Sequence, residues 1–141
     1  MISAVGRPYL VHVLRLRPGE DVRDQLERWC VERSVEAASI TSAVGSLTQA
    51  TIRYGGRNEG MITKGDLEVC AFSGTLSRHG MHLHLAIADA DGHMTGGHLM
   101  KGCLVRTTLE LVVQEIGGLR LLRRPDPTTG YEELYPEVIA P

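Results

Sequence analysis

The sequence predicts an α+β domain, a mostly antiparallel β-sheet with one main helix packed on one face. Three observations lead there. Most of the chain divides into short segments rich in β-branched residues or alternating in polarity, the two-residue period of strands. One stretch, GEDVRDQLERWCVER at 19–33, carries the helical period instead. Turn signals such as Pro18-Gly19, GGRNEG at 55–60 and Asp91-Gly92 separate the segments. A length of 141 residues implies a single domain over 1–141. Roughly two-thirds of the unfolded surface is buried at that size, enough for a core without staples.

Taken in order, YLVHVLRL at 9–16 reads as a strand. Tyr9, Val11 and Val13 share one face, and Leu10, His12, Leu14 and Leu16 the other. Both faces are largely apolar. In the helix, Glu20 and Asp21 sit in the first turn, where carboxylates suit the positive end of the helix dipole. Val22, Leu26, Trp29 and Cys30 form one buried stripe. Strands are expected near 38–44 and 47–54, with a break or bend at Gly45. Another is expected at 67–76, with Gly74 a bulge position. Strands at 82–88 and 103–114 follow, and a short one at 119–123 precedes a turn-rich, proline-punctuated tail.

The formal net charge is -2 and the pI about 6.3, so no bulk attraction to nucleic acid or an anionic membrane is expected. No apolar stretch approaches the ~20 residues of a membrane span, and the first residues do not read as a signal peptide. Cys30, Cys70 and Cys103 are odd in number and fit no metal knuckle. They are expected as reduced, mostly buried thiols, which points to the cytoplasm.

The chemistry concentrates in HLHLAIADADGHMTGGHL, residues 82–99. On a strand, His82 and His84 share a face with Ala86 and Ala88, while Leu83, Leu85 and Ile87 point the other way. Asp91-Gly92 is a hairpin signal. If Asp89 pairs with His93, His84 lies directly across from His98. A slip of one residue would send His98 to the other face. Gly96 and Gly97 give the backbone freedom just before His98 and are grouped with it as cofactor-binding positions. Two imidazoles at i and i+2 and a third across a hairpin make a three-histidine site with one open position, the ligand set of catalytic zinc. Neutral imidazole also suits Cu, Fe and Ni. His79 and His93 read as loop residues and His12 as a packed histidine. Glu110, in the strand CLVRTTLELVV, needs a partner. Arg106 or a neighbouring chain is the plain one, and support of a histidine ligand or general-base catalysis the functional role.

The segments GEDV (19–22), AASIT and AVGSL (37–47), FSGTL (72–76), the histidine run, TTLELVV (107–113) and R-x-x-D-x-x-TG-x-x-EL (123–134) occur in this order. Together they resemble the PPC domain family, the plants-and-prokaryotes conserved domain, over about residues 9–134. The resemblance implies an antiparallel sheet fold and assembly as homotrimers. It also implies a likeness to the acetolactate decarboxylase-type fold, which holds zinc with histidines that include an HxH pair. The family's metal site falls on His82, His84 and His98, the three that strand parity selects. In plants the domain follows AT-hooks and contacts transcription factors, and stand-alone prokaryotic members are commonly labelled predicted DNA-binding proteins. Here the nearest stretch to an AT-hook, Val5-Gly6-Arg7-Pro8, lacks the first arginine. Only Arg120, Arg123 and Arg124 cluster, so DNA binding is expected to be weak.

Three functions are compatible with these residues and this resemblance. The first is a homotrimeric regulatory or interaction module carrying a histidine-bound zinc. The second is a DNA-binding transcriptional regulator. The third is a metal-dependent enzyme acting on a small carboxylate or keto acid, with Glu110 the residue to test as catalyst.

Overall fold

In the computed structural model, which describes residues 1–139, the alternating segments become strands of one curled antiparallel sheet. Strand β1 is Arg7–Leu16, helix α1 Val22–Glu32, β2 Ala38–Arg53, β3 Gly60–Ser77, β4 Gly80–Ala88, β5 Met94–Leu99 and β6 Leu104–Gly117. The sheet order is β1-β6-β2-β3-β4-β5. Its far edge returns to β2, because Ile52 pairs with Leu99 and Arg53 with His98. Strands β2 to β5 therefore close on one another at that end. A separate hairpin, β7 (Leu119–Asp126) and β8 (Tyr131–Val138), lies against the sheet.

Alternation decides which face is buried. Met81, Leu83, Leu85 and Ile87 of β4 enter one core with Leu109, Leu111 and Val113 of β6. Leu83 and Leu85 are only 1% and 2% exposed, a burial that stabilises each by about 1.5–3 kcal/mol. The helix covers this core with Val22, Leu26 and Cys30. Asp21 stands at the helix N-cap rather than within the first turn. Its Oδ1 accepts from the backbone N–H groups of Arg23 at 3.0 Å and Asp24 at 3.1 Å. Its Oδ2 accepts from the N–H of Gly102 at 2.5 Å, which fixes the helix start to the approach of β6.

Several boundaries differ from the sequence expectation. The segments around Gly45 form one continuous strand whose register shifts between Gly45 and Leu47 instead of breaking. A bulge absorbs the irregularity, because β2 has partners on both sides that carry the pairing through. Strand β3 starts at Gly60, not 67, since Met61 to Lys64 find partners along β2. The tail makes hairpin β7–β8, pairing Leu119 with Val138 through to Asp126 with Tyr131. Its prolines are accommodated in a two-stranded ribbon that has open edges. Cys30 and Cys103 are buried, and burial pushes their thiols up to about 12 and about 11, where they are unreactive at neutral pH. Cys70 departs from the expectation and is exposed.

Candidate metal centre

The hairpin β4–β5 sets the histidine geometry. Asp89 N–H bonds the His93 carbonyl at 3.0 Å, and Asp89 Oδ1 accepts from the N–H groups of Asp91 and His93. This turn places His84 directly across from His98. His82, two residues earlier on β4, faces the same side. Their three imidazoles offer nitrogens that all lie within 4.8 Å of one another. His82 Nε2 and His98 Nδ1 are 3.1 Å apart, and the two rings stack with 15° between their planes. His84 stands edge-on to both, at centroid distances of 5.1 and 4.6 Å. Tetrahedral ligands at ~2.0–2.1 Å from zinc stand about 3.3 Å apart, so the His82–His98 spacing fits a shared metal.

Gly96 and Gly97 serve packing. A Cβ on Gly97 would lie 2.6 Å from the Arg53 carbonyl oxygen and 3.0 Å from an Ile52 methyl. Only glycine lets β5 approach the end of β2 closely enough to seat His98. Neither residue borders the cavity beside the histidines.

His82 and His98 are held below the ordinary histidine value, first by burial. For His82 the positive neighbours His84, Arg123 and Arg53 add to it, against Glu133; for His98 they are Arg53, His84 and His82. Both effects favour the neutral imidazole that a metal requires. His82 and His98 border an open cavity of about 950 Å³, whose rim includes Arg53, Arg123, Tyr131 and Glu133. The sequence singled out Arg123 only as part of a basic cluster, and none of the four as a neighbour of the histidines. Arg53 is brought in by the return of β5 to β2, and the other three by the tail hairpin, so only tertiary pairing reveals them.

Other expected residues fall elsewhere. Glu110 lies on the outer face of β6, across from Arg15 and Val44 and outside the cavity. Arg106 pairs with Asp66 at 3.0 Å, not with Glu110. His12 packs against Trp29 and bonds Glu115 at 2.5 Å, as a packed histidine should. His79 bonds Glu36 at 2.8 Å. His93 joins Asp89 and Asp91 in a second group whose contacts are those of the turn itself. The basic cluster is split and paired off: Arg120 and Arg124 share Glu137, Arg120 also pairs with Glu36, Arg124 lies 3.7 Å over the Tyr135 ring, and Arg123 borders the cavity.

Comparison with known proteins accords with this picture. A segment of the Bifunctional protein GlmU from Synechococcus sp. (strain JA-3-3Ab) is 45% identical over 98% of this chain. The chain spans 23% of that relative's length. A hypothetical protein from Salmonella cholerae-suis is 40% identical, with a TM-score of 0.93 over 97% of this chain and 99% of its own. A metal-containing protein from Archaeoglobus fulgidus is 27% identical, with a TM-score of 0.81 over 95% of this chain and 99% of its own. More distant structures, under 25% identical, share the fold and include proteins provisionally named as DNA-binding. The model of the Plants and Prokaryotes Conserved (PCC) domain matches residues 4–117, the span that carries β1 to β6 and all three histidines, and the chain belongs to that family.

Proposed function

We propose that the chain is a homotrimeric regulatory or interaction module of the cytoplasm, carrying one zinc ion on His82, His84 and His98. The observation that carries this reading is the convergence of three imidazoles from two paired strands, with nitrogens within 4.8 Å of one another. A metal is also named for the Archaeoglobus fulgidus relative. Three protein ligands leave one position open for a ligand. Assembly is supported by the apolar outer face of the sheet, where Val11, Val13 and Val44 are 64%, 78% and 60% exposed. Within the Synechococcus relative a similar segment is one part of a much longer bifunctional protein, as befits a module. The test is elemental analysis of protein purified without a nickel column. About one zinc per chain is expected, and none in the His82→Ala/His84→Ala variant. Wild-type protein without metal would sink the reading.

A second reading, a metal-dependent enzyme acting on a small carboxylate or keto acid, is favoured by the cavity of about 950 Å³ that opens onto His82 and His98. Glu27, Glu132 and Glu133, not Glu110, are the carboxylates that border that cavity among the described residues. Turnover of such acids by zinc-loaded protein would place this reading first. The regulator reading draws on the provisional names of more distant structures. The pairing of Arg120 and Arg124 with Glu36 and Glu137, and the separation of Arg123 from them, weaken the local basic footprint it would use.

A further inference from the structure

Of the basic residues around the cavity, two are spoken for. Arg23 pairs with Glu27 at 2.8 Å, and Lys101 pairs with Asp24 at 2.6 Å and Glu27 at 3.2 Å. Arg53 and Arg123 are different. Among the described residues neither has a carboxylate within 4.0 Å, and their hydrogen bonds go to neutral oxygens. Arg53 bonds the Arg57 carbonyl at 3.1 Å, and Arg123 the Thr75 hydroxyl at 3.0 Å.

Their placement is set by strand register. Arg53 is the cross-strand partner of His98, and Thr75 that of His82. One guanidinium therefore stands one strand beyond each of two of the clustered imidazoles, on opposite sides of the group. Both arginines border the same cavity.

We propose that Arg53 and Arg123 form an oxyanion site that holds a small carboxylate or phosphate group in the cavity beside the three histidines. The forked, planar donors of arginine match these groups. Burial opposes the charge on Arg123, and Glu133 offsets this only in part, so an arriving anion relieves a cost already present. Zinc held by the three histidines would add further positive charge beside the cavity. The inference rests on the metal reading for that added charge alone.

The experiment titrates malonate, and separately inorganic phosphate, into chelator-treated and zinc-loaded protein by calorimetry. Saturable binding of at least one probe to the chelator-treated protein is expected, weakened tenfold or more by Arg123→Gln and by Arg53→Gln. The two arginines lie on different elements, so thermal unfolding of both variants separates a lost contact from a lost fold. Arg124→Gln, whose guanidinium lies over Tyr135 outside the cavity, is expected to bind as wild type. Arginine-dependent binding in a protein that takes up no zinc would retire the metal reading and leave the oxyanion site standing. Zinc uptake with no probe binding, or binding indifferent to both arginine substitutions, would overturn the oxyanion site.

Discussion

At the scale of single residues, the histidine cluster proposed to hold a metal is a matter of parity and protonation. His82 and His84 were legible as a pair because strand residues two apart share a face. His98 joined them because the Asp89–His93 turn fixes the register. Arg53 was not legible, and Arg123 was legible only as part of a basic cluster, since nothing local to either marks the strand it meets. Replacing His98 by Ala is expected to weaken zinc binding by more than the ~10–100-fold lost on removing even an outer partner of a ligand. Competition titration against a chromophoric chelator measures it, and an unchanged affinity would remove His98 from the site. Acid should act in the same direction. His82 and His98 titrate below their ordinary value of 6.5 when folded. As pH falls below 6.5, the unfolded chain takes up protons that the folded site refuses, so metal-free protein loses stability through that window. Above it these two groups contribute no pH dependence. Thermal unfolding of chelator-treated protein between pH 8 and 5 is expected to show the loss, and a His82→Gln/His98→Gln variant to show less of it; acid stabilisation attributable to these histidines would contradict the account.

At the scale of elements, the site depends on how closely strands approach one another. Gly74 on β3 sits across from Leu83, and a Cβ there would fall 2.1 Å from the His82 carbonyl oxygen. Its φ of 135° is also one that an L side chain rarely adopts. Gly74→Ala is therefore expected to destabilise by more than about 1 kcal/mol and to displace β4 where it carries His82. Urea unfolding and zinc titration of the same variant check both effects, and a wild-type midpoint would refute the close approach. Periodicity located α1 and β4 well because each has one buried and one exposed face. It left a break or a bend in β2 open because small residues and Gly45 look like an interruption, whereas partners on both sides carry the strand through with a register shift. Strand β7 was legible in part at 119–123, whereas β8 was hidden by proline and polar residues, which read as loop until the ribbon's pairing is seen.

At the scale of the whole molecule, one helix cannot cover two faces of a sheet. The inner face takes α1 and the core, leaving Tyr9, Val11, Val13 and Val44 outside. Tyr9, Val11 and Val13 lie on β1, at an edge of the sheet, so a neighbour could cover them without disturbing the histidines at the other end. Wild-type protein is expected to sediment as a trimer at micromolar concentration, and Val13→Asp to sediment as a smaller species. A wild-type monomer, or an assembly indifferent to Val13→Asp, would contradict that arrangement. The central claim concerns the three histidines, and crystals of the untagged protein test it most directly by anomalous scattering recorded on both sides of the zinc absorption edge. The account predicts one peak per chain, about 2.0–2.1 Å from a nitrogen of each of His82, His84 and His98. Zinc-soaked crystals with no peak there, or with the peak at Asp89, Asp91 and His93 instead, would contradict it.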